Sequence, residues 1–286
     1  MARTPVVAGQ FYNGTREGLI SEIEDCFTGT FGPGRLPELK TPKSARHIMG
    51  LVSPHAGYVY SGGAAAWAYD ALAADAMPEI AVILGPNHYG LGPAAALSDE
   101  DEWVTPLGTL HVDNEIAEAI QNISNYCKTY ELAHAREHSI EVQLPFLQYL
   151  AGDAIRIVPI SLAHMNIGDA LAMVDDLGHA IAEAIRGKNA IVIASSDFTH
   201  YESKTAVDAK DALAIKQILN LDAHGLVEVA YSRDITMCGV IATAVMIDAC
   251  VKLKASKASK LVHYTSGDIT GDSDQVVGYA AISVSC

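Results

Sequence analysis

The sequence predicts an α/β fold, a layered sandwich in which a central sheet, mostly parallel or mixed, is covered by helices. Half of the 286 residues are hydrophobic, which is enough for a large core. Short aliphatic runs alternate along the chain with segments whose apolar residues recur at helical spacing. Some of these runs, such as AIVIAS at 190–195, carry almost no polar residue, as is typical of strands covered on both faces.

The alternation can be assigned element by element from residue 49 onward. Strands are predicted at Met49–Ser53, Ile80–Gly85, Ile155–Ser161, Ala190–Ser195, Leu261–Ser266 and Val276–Val284. Helices are predicted at Gly62–Leu72, Ser139–Leu150, Ile167–Ile185, Ala206–Leu219 and Gly239–Lys252. The Gly-, Pro- and Lys-rich stretch Thr28–Arg46 is predicted to be a surface loop, and KLKASKASK at 252–260 a solvated helix end and turn. Neither stretch is long enough for an interdomain linker, so we predict one domain over residues 1–286.

Charge and composition exclude several classes of partner. Asp and Glu number 34 against 19 Lys and Arg, which gives a net charge of -15. Such a surface repels phosphate backbones and anionic membranes, so we expect no nucleic-acid partner and no membrane association. No apolar run approaches the ~20 residues of a membrane helix, and the first residues lack the apolar core of a secretory signal. The five cysteines form no CxxC pair, which indicates a reduced, cytoplasmic protein rather than a zinc ribbon or a disulfide framework.

Histidines follow three of the predicted strands. GLVSPHAGYVYSGG leads from one strand to His55, AVILGPNHYG leads from another to His88, and AIVIASSDFTHY leads from a third to Asp197 and His200. A single histidine after a strand is usually a hydrogen-bonded loop residue. Three such sites favour a shared pocket, because ligand crevices in open α/β sheets form at the carboxyl ends of strands. Imidazole is a good ligand for iron, copper, zinc and nickel.

Cys238 lies in DITMCGVIATAVMIDAC, at the start of a predicted helix. If Thr236 caps this helix, Cys238 lies in its first turn, where the helix dipole favours a thiolate. The alternative is a small buried hydrophobic residue, the usual role of a free cysteine. We assign Cys250, deeper in the same apolar helix, to packing.

Asp197, His200 and His138 are the candidates for proton transfer. Asp197 and His200 are three residues apart, so in a helix they share a face and Asp197 can orient His200 or act beside it. Alternatively, Asp197 or Ser196 caps a following helix. His138 falls at the start of the amphipathic run IEVQLPFLQYL and can line the same pocket. No GxGxxG follows a strand, and neither GxxxxGK[ST] nor GxSxG is present, so nucleotide binding and serine hydrolysis are unsupported.

Several motifs in fixed order resemble the Memo family. They are VAGQFYN, SPHAGYVYSGGAAAWAY, LGPNHYG, REHSIEVQLPFLQYL, SSDFTHY and MCGV, from residue 7 to 240, and the tail VVGYAAISVS fits as well. The resemblance therefore covers essentially the whole chain. Memo proteins are similar in fold to the class III extradiol dioxygenases, the LigB-like non-haem iron enzymes, so the resemblance implies a LigB-like fold.

The resemblance implies metal ligands at His55, His88 and Cys238, with Asp197 and His200 in the same pocket. In the dioxygenases two histidines and a carboxylate bind Fe(II), and a further histidine acts as acid and base; here His200 matches that residue and Cys238 stands where the carboxylate is expected. Iron is the expected metal, and a thiolate also suits copper(I) or zinc and can itself be oxidised. The resemblance further implies phosphotyrosine-peptide binding in animal members, and a radical-SAM protein and an AMMECR-type protein beside microbial ones.

Three functions remain open at the level of sequence. The first is a metal-dependent oxidoreductase that uses His200 and Asp197 for proton transfer. The second is a binding module for a peptide or a small molecule, in which the pocket remains but the chemistry is lost. The third and weakest is hydrolysis by a zinc-bound water.

Overall fold

The computed structural model describes residues 2–40 and 46–286. The predicted loop Thr28–Arg46 therefore includes five residues, 41–45, that lie outside the described part of the chain. Thr28 itself ends a helix, and residues 29–40 contain neither helix nor strand.

Strands and helices alternate through the described residues. The strands are β1 (Ala2–Arg3), β2 (Ile48–Ser53), β3 (Ile80–Pro86), β4 (Ala95–Leu97), β5 (Glu102–Thr105), β6 (Gly108–His111), β7 (Cys127–Thr129), β8 (Arg156–Leu162), β9 (Ala190–Ser195), β10 (His200–Glu202), β11 (Lys257–Thr265) and β12 (Val276–Ser285). The α-helices are α1 (Arg16–Thr28), α2 (Tyr58–Asp75), α3 (Asn114–Ile123), α4 (Leu144–Ala151), α5 (Ile167–Ile185), α6 (Lys204–Leu219), α7 (Ala223–Ser232), α8 (Val240–Lys252) and α9 (Ser266–Thr270). Short 3₁₀ turns cover Glu131–Ala133, Glu141–Gln143 and Gly152–Ala154.

The main sheet is mixed, with a parallel centre. Its strand order is β10-β12-β2-β9-β3-β8-β4-β7, and β11 also pairs with β12. The adjacent strands β2, β9, β3 and β8 all run parallel, whereas β12 and β4 join this centre antiparallel. A second, three-stranded sheet has the order β1-β5-β6. The predicted α/β class with a mostly parallel or mixed sheet is confirmed.

Helices cover both faces of the main sheet, as the apolar strands predicted. Alternate side chains of one strand point to opposite layers, because successive residues of a strand face opposite sides. In β9, Val192 packs with the layer that contains α5, α7 and α8, whereas Ile191 and Ile193 pack with the layer that contains α1, α2 and α4. None of the helices over residues 2–40 and 46–286 is long and apolar enough to cross a membrane. The assignment of residues 1–286 to a single domain stays a prediction.

Five of the six predicted strands match the observed bounds within one residue, and the differences elsewhere have physical reasons. The basic stretch 252–260 is not wholly a helix end and turn, since Lys257–Lys260 begin β11 and pair with β12. This strand lies at the edge of the sheet, where lysines are favoured because they oppose pairing with other chains. The predicted helix Ser139–Leu150 starts as the 3₁₀ turn at Glu141 and becomes α-helical at Leu144. Helices α1, α3, α7 and α9 were not predicted.

A buried ion pair joins the first strand to the segment before α4. The Arg3 guanidinium donates to the Glu141 carboxylate at 2.8 Å, and the two side chains are 4% and 0% exposed. Arg3 also donates to the backbone oxygens of His134 and Glu137 at 2.9 and 2.6 Å, and it lies 4.0 Å from the centre of the Trp103 ring. Arg3 therefore fixes residues 134–141 by three polar contacts.

The Glu141 carboxylate also accepts hydrogen bonds from the N-terminal segment. It accepts the backbone N–H groups of Val6 and Val7 at 2.9 to 3.1 Å and the Tyr12 hydroxyl at 2.7 Å. A buried carboxylate with this many donors keeps its charge compensated, and the loss of that charge leaves Arg3 buried without a partner.

We expect Glu141→Gln to lower the free energy of unfolding by about 3–5 kcal/mol, because removing one charge of a buried ion pair leaves the other charge buried without a partner. The measurement is urea unfolding followed by far-ultraviolet circular dichroism. The matched control is Glu115→Gln, which removes the exposed pair between Lys188 and Glu115 (2.9 Å) and should cost less than about 1 kcal/mol. Equal effects of the two substitutions would contradict a structural role for the buried pair.

Candidate metal centre

The three predicted strand-end sites meet because their strands are neighbours in the sheet. Strands β2, β9 and β3 are adjacent and parallel, so their carboxyl ends lie at one edge. His55 follows β2 by two residues, Asp197 follows β9 by two, and His88 follows β3 by two. The sequence predicted that these ends converge, and the strand order supplies the reason.

His55, His88 and Cys238 form a compact cluster. One ligand atom from each lies within 4.8 Å of the others. The distance from His55 Nε2 to Cys238 Sγ is 3.3 Å, and the ring centres of His55 and His88 are 5.4 Å apart. His55 is buried, Cys238 is partly buried and His88 lies on the exposed rim. The residues that the sequence singled out as metal ligands are therefore together in space.

A hydrogen-bond chain fixes the tautomer of His55. The Ser195 hydroxyl donates its single hydrogen to the backbone oxygen of Ser139 at 2.7 Å and accepts from the Gln143 side-chain amide at 2.8 Å. The 2.9 Å contact between His55 Nδ1 and Ser195 Oγ must then have the imidazole as donor. Nδ1 carries the hydrogen, and the Nε2 lone pair faces Cys238. Burial lowers the pKa of His55 well below its ordinary value, with further lowering from His138 and His88, so the ring is neutral.

Glu137 orients His88 in the same way. Its carboxylate accepts from His88 Nδ1 at 2.9 Å and from the His88 backbone N–H at 2.8 Å. The backbone N–H groups of His138 and Ser139 also donate to Glu137. Burial by itself disfavours the charged ring, but the hydrogen bond and charge of Glu137 outweigh it and raise the pKa of His88. Because Nδ1 is engaged, the remaining nitrogen of His88, Nε2, is available as a ligand atom.

Cys238 lies just before helix α8 rather than in its first turn. The helix begins at Val240, after Gly239, and Thr236 does not cap it; its hydroxyl instead accepts the backbone N–H of His200 at 2.7 Å. Gly239 is required here, since a Cβ would collide with the backbone oxygen of Ser195. The prediction of a thiolate favoured by the helix dipole is also wrong for the metal-free protein. Burial raises the pKa of the Cys238 thiol, and the charge of Asp197 raises it further.

Asp197 positions the loop that carries His55. Its carboxylate accepts the backbone N–H groups of His55 and Ala56 at 2.8 and 3.3 Å. Neither Asp197 nor Ser196 caps a helix, because the chain continues into β10 and α6 is capped by Ser203. Burial raises the pKa of Asp197, although the charge of His200 opposes the shift.

His200 and His138 both border the pocket. The His200 ring is oriented by its own contact, since Nδ1 lies 2.8 Å from the backbone oxygen of Thr236, an atom that can only accept. Asp197 therefore does not orient His200 through a hydrogen bond. The His138 ring stacks on His88 with centres 4.9 Å apart and an interplanar angle of 12°. Burial lowers the pKa of His138.

The cavity beside the cluster is large enough for an organic molecule. Its volume is about 670 Å³, and its walls combine aromatic rings with polar side chains. The cavity is lined by Asp197, by four histidines and by aromatic residues: His55, His88, His138, His200, Phe11, Tyr60, Tyr201 and Tyr279.

Sequence reasoning missed the residues that orient the histidines of the cluster. Glu137 lies next to His138 in REHSIEVQ, but its pairing with His88 crosses 49 residues of chain. Gln143 reaches Ser195 across 52 residues. Among the described residues, the second group that could hold a metal is His88, Glu137 and His138, which overlaps the first through His88. The histidines outside this region were expected to play ordinary roles, and several pair with carboxylates elsewhere: His47, His111, His224 and His263.

Comparison with known proteins identifies the family. The family described as "Memo-like protein" matches residues 3–283. The chain belongs to the Memo family. A "MEMO1 family protein" of Methanopyrus kandleri is 45% identical over 284 residues, covering 99% of this chain and 98% of that protein. A "MEMO1 family protein" of Nitrosopumilus maritimus is 42% identical over 282 residues, with 99% of each chain covered.

One structural neighbour of this Memo family chain supports the fold alone. It is the crystal structure of an uncharacterized protein, JW3007, from Escherichia coli K12, with a TM-score of 0.57 and 11% sequence identity. The match covers 82% of this chain and 99% of that one. At this level of identity the likeness carries no statement about activity.

We expect nuclear magnetic resonance of the ring nitrogens to find His55 neutral at neutral pH, with the hydrogen on Nδ1. The physical reason is that Ser195 offers only an acceptor to that nitrogen, and burial disfavours the charged ring. Long-range proton–nitrogen correlation spectra of the metal-free protein distinguish the two tautomers. His111, exposed and outside the cluster, serves as the reference ring. A hydrogen on Nε2 of His55 would contradict this assignment.

Proposed function

We propose that this chain binds a redox-active metal ion through His55, His88 and Cys238 and acts as a metal-dependent oxidoreductase on an organic molecule in the adjacent cavity. Iron as Fe2+ is the proposed ion, with copper or zinc as the alternatives. The observation that carries the proposal is the convergence of two oriented imidazole nitrogens and one thiol within 4.8 Å.

The spacing of these atoms fits a metal ion. For an ion about 2.0–2.1 Å from a nitrogen and about 2.3 Å from a sulfur, the N···S separation is about 3.1 Å at a right angle and about 3.6 Å at the tetrahedral angle. The observed 3.3 Å between His55 Nε2 and Cys238 Sγ lies within this range. Three protein ligands leave further positions open, as a site for catalysis requires.

The surroundings of the ligands also fit. Histidines that bind metals almost always donate their other ring nitrogen to a carboxylate, a backbone oxygen or water, which fixes the ring and raises its basicity. Glu137 accepts the Nδ1 hydrogen of His88 in this way. The Ser195 hydroxyl accepts the Nδ1 hydrogen of His55 and is itself hydrogen-bonded to Ser139 and Gln143. When bound, an iron or copper ion supplies one-electron chemistry, and the two imidazoles and the thiol of Cys238 suit both ions.

The remaining histidines of the pocket supply proton transfer. His200 donates Nδ1–H to Thr236, so Nε2 is the atom that can take or give a proton in the cavity. His138 is kept neutral by burial and is therefore a base at neutral pH. Asp197, which burial makes easier to protonate, positions the backbone of His55 and borders the same cavity.

The alternative is a binding module that keeps the pocket without turnover. The cavity of about 670 Å³ and its aromatic and histidine walls would then hold a peptide side chain or a small ligand. The two functions differ in their dependence on the metal. Ligand binding that is unchanged when His55 and His88 are both replaced would favour a module whose recognition surface lies elsewhere.

Anaerobic titration with Fe2+ tests the proposed metal site. We expect one ion per chain in the wild type. In His55→Ala, His88→Ala and Cys238→Ser, affinity should fall by more than the roughly 10–100-fold caused by losing an orienting partner, because a ligand itself is removed. His111→Ala is the control, since His111 lies outside the cluster and pairs with Glu102. Equal binding by the wild type and all three cluster variants would overturn the proposal.

Glu137→Gln should weaken metal binding by about 10–100-fold while keeping the fold, because the amide cannot hold the His88 ring with a charged acceptor. The measurement is the same titration, with thermal unfolding of the metal-free protein recorded beside it. Glu102→Gln is the matched control, since it removes the carboxylate that pairs with His111 at 3.4 Å on the surface. A metal affinity like that of the wild type in Glu137→Gln would show that His88 needs no orienting carboxylate.

A further inference from the structure

Two separate cavities meet at the cluster. The larger, of about 670 Å³, is lined by His55 and His88 but not by Cys238. The smaller, of about 240 Å³, is lined by His88 and Cys238 but not by His55. His88 borders both cavities. Cys238 therefore borders a different cavity than His55 does.

The smaller cavity has mainly apolar walls. They come from the ends of β3 and β8 and from the first turn of α8, and they include Pro86, Leu162, Ala163, Val240, Ile241 and Ala242. Among the described residues that line it there is no Asp, Glu, Lys or Arg.

Two other polar side chains line it, those of Asn87 and His164. The Asn87 amide donates to the backbone oxygen of Leu91 at 2.7 Å within its own loop. The His164 ring stacks on Tyr231, with centres 5.6 Å apart and an interplanar angle of 5°. Apart from the cluster, the polar side chains that a molecule meets in this cavity are those of Asn87 and His164. A charged molecule that loses its water there meets no Asp, Glu, Lys or Arg side chain of opposite charge, so its entry is disfavoured.

The larger cavity differs in both size and polarity. Asp197, Asp272, His138 and His200 line it together with aromatic rings, so it can hold a polar organic molecule by hydrogen bonds. The two cavities therefore select for different chemistry at one cluster.

We propose that the smaller cavity admits a small, uncharged, weakly polar molecule of the size of dioxygen to the Cys238 side of the cluster, while the organic ligand occupies the larger cavity. Each molecule then reaches the cluster without passing the other. The role of the admitted molecule rests on the proposed function, but the route does not, because it is a property of the cavities around Cys238.

Thiol labelling of the metal-free protein tests the route. Methyl methanethiosulfonate is small and neutral; a cysteine sulfur attacks it, forms a methyl disulfide and releases methanesulfinate. Sulfonatoethyl methanethiosulfonate reacts by the same step but carries a negative charge. Mass spectrometry of the Cys238 peptide gives each rate relative to that of Cys286, which is exposed. We expect the relative rate at Cys238 to be about tenfold higher for the neutral reagent, because thiol exchange depends on access.

Two bulky substitutions assign the route to one cavity. Ala163→Phe narrows the smaller cavity and should slow neutral labelling of Cys238 by about tenfold. Gln275→Trp adds bulk to the larger cavity at an exposed residue and should leave the rate unchanged. If Gln275→Trp slows the labelling, or if neither substitution slows it, the proposal is overturned. Equal labelling by the two reagents in the wild type would also overturn it. The comparison of reagents needs no variant, so it holds even if Ala163→Phe fails to fold. The labelling is carried out without metal. A failure of the protein to bind iron would therefore be a separate result, and it would contradict only the proposed function.

Discussion

Both histidines of the candidate metal centre are oriented by one buried segment, residues 137–143. Glu137 accepts from His88, the backbone oxygen of Ser139 receives the Ser195 hydroxyl, and Gln143 donates to that same hydroxyl. Ser195 in turn accepts from His55. The segment is itself held by the Arg3–Glu141 ion pair, whose two side chains are almost fully buried. The ring orientations, and with them the direction of both lone pairs, therefore depend on a contact between the first strand and the turn before α4.

This arrangement explains why a costly ion pair is kept in the interior. A buried pair contributes little net stability compared with well-packed apolar residues, because both charges lose their water. In this protein the two charged groups hold the backbone in a fixed position. Arg3 bonds to two backbone oxygens as well as to Glu141, and Glu141 bonds to two backbone N–H groups as well as to Arg3, so the pair fixes backbone rather than side chains alone. Ligand geometry tolerates errors of only a fraction of an ångström, and a rigid backbone meets that demand.

The sequence could predict the sheet centre and the residues that cluster at its edge because their signals are local. AIVIAS is a buried strand by composition, and His55 and His88 stand directly behind such strands. The orienting residues have no local signal, since Glu137 and Gln143 act on partners 49 and 52 residues away. The error at Cys238 has the same origin. Thr236 precedes an apolar helix and has the form of a cap, but its hydroxyl pairs with His200, 36 residues earlier. The short strands β4 and β7 have three residues each, too few for a periodic pattern, and are held by their neighbours.

The same tertiary setting gives a physical reason for a thiol at position 238. The carboxylate of Asp197 is buried close by, and its charge raises the pKa of Cys238. A carboxylic acid at this position would have to ionise next to Asp197 or remain protonated, and two carboxylates in one buried site cannot both be charged without a large cost. A thiol avoids this conflict, because burial already keeps it neutral in the metal-free protein. In the proposed site its negative charge would arise only when a cation is present to balance it, since a coordinating thiol is deprotonated by the ion that it binds. The pocket is then preorganised for the proposed metal, with His55 neutral, Cys238 protonated and Asp197 occupied by backbone N–H groups.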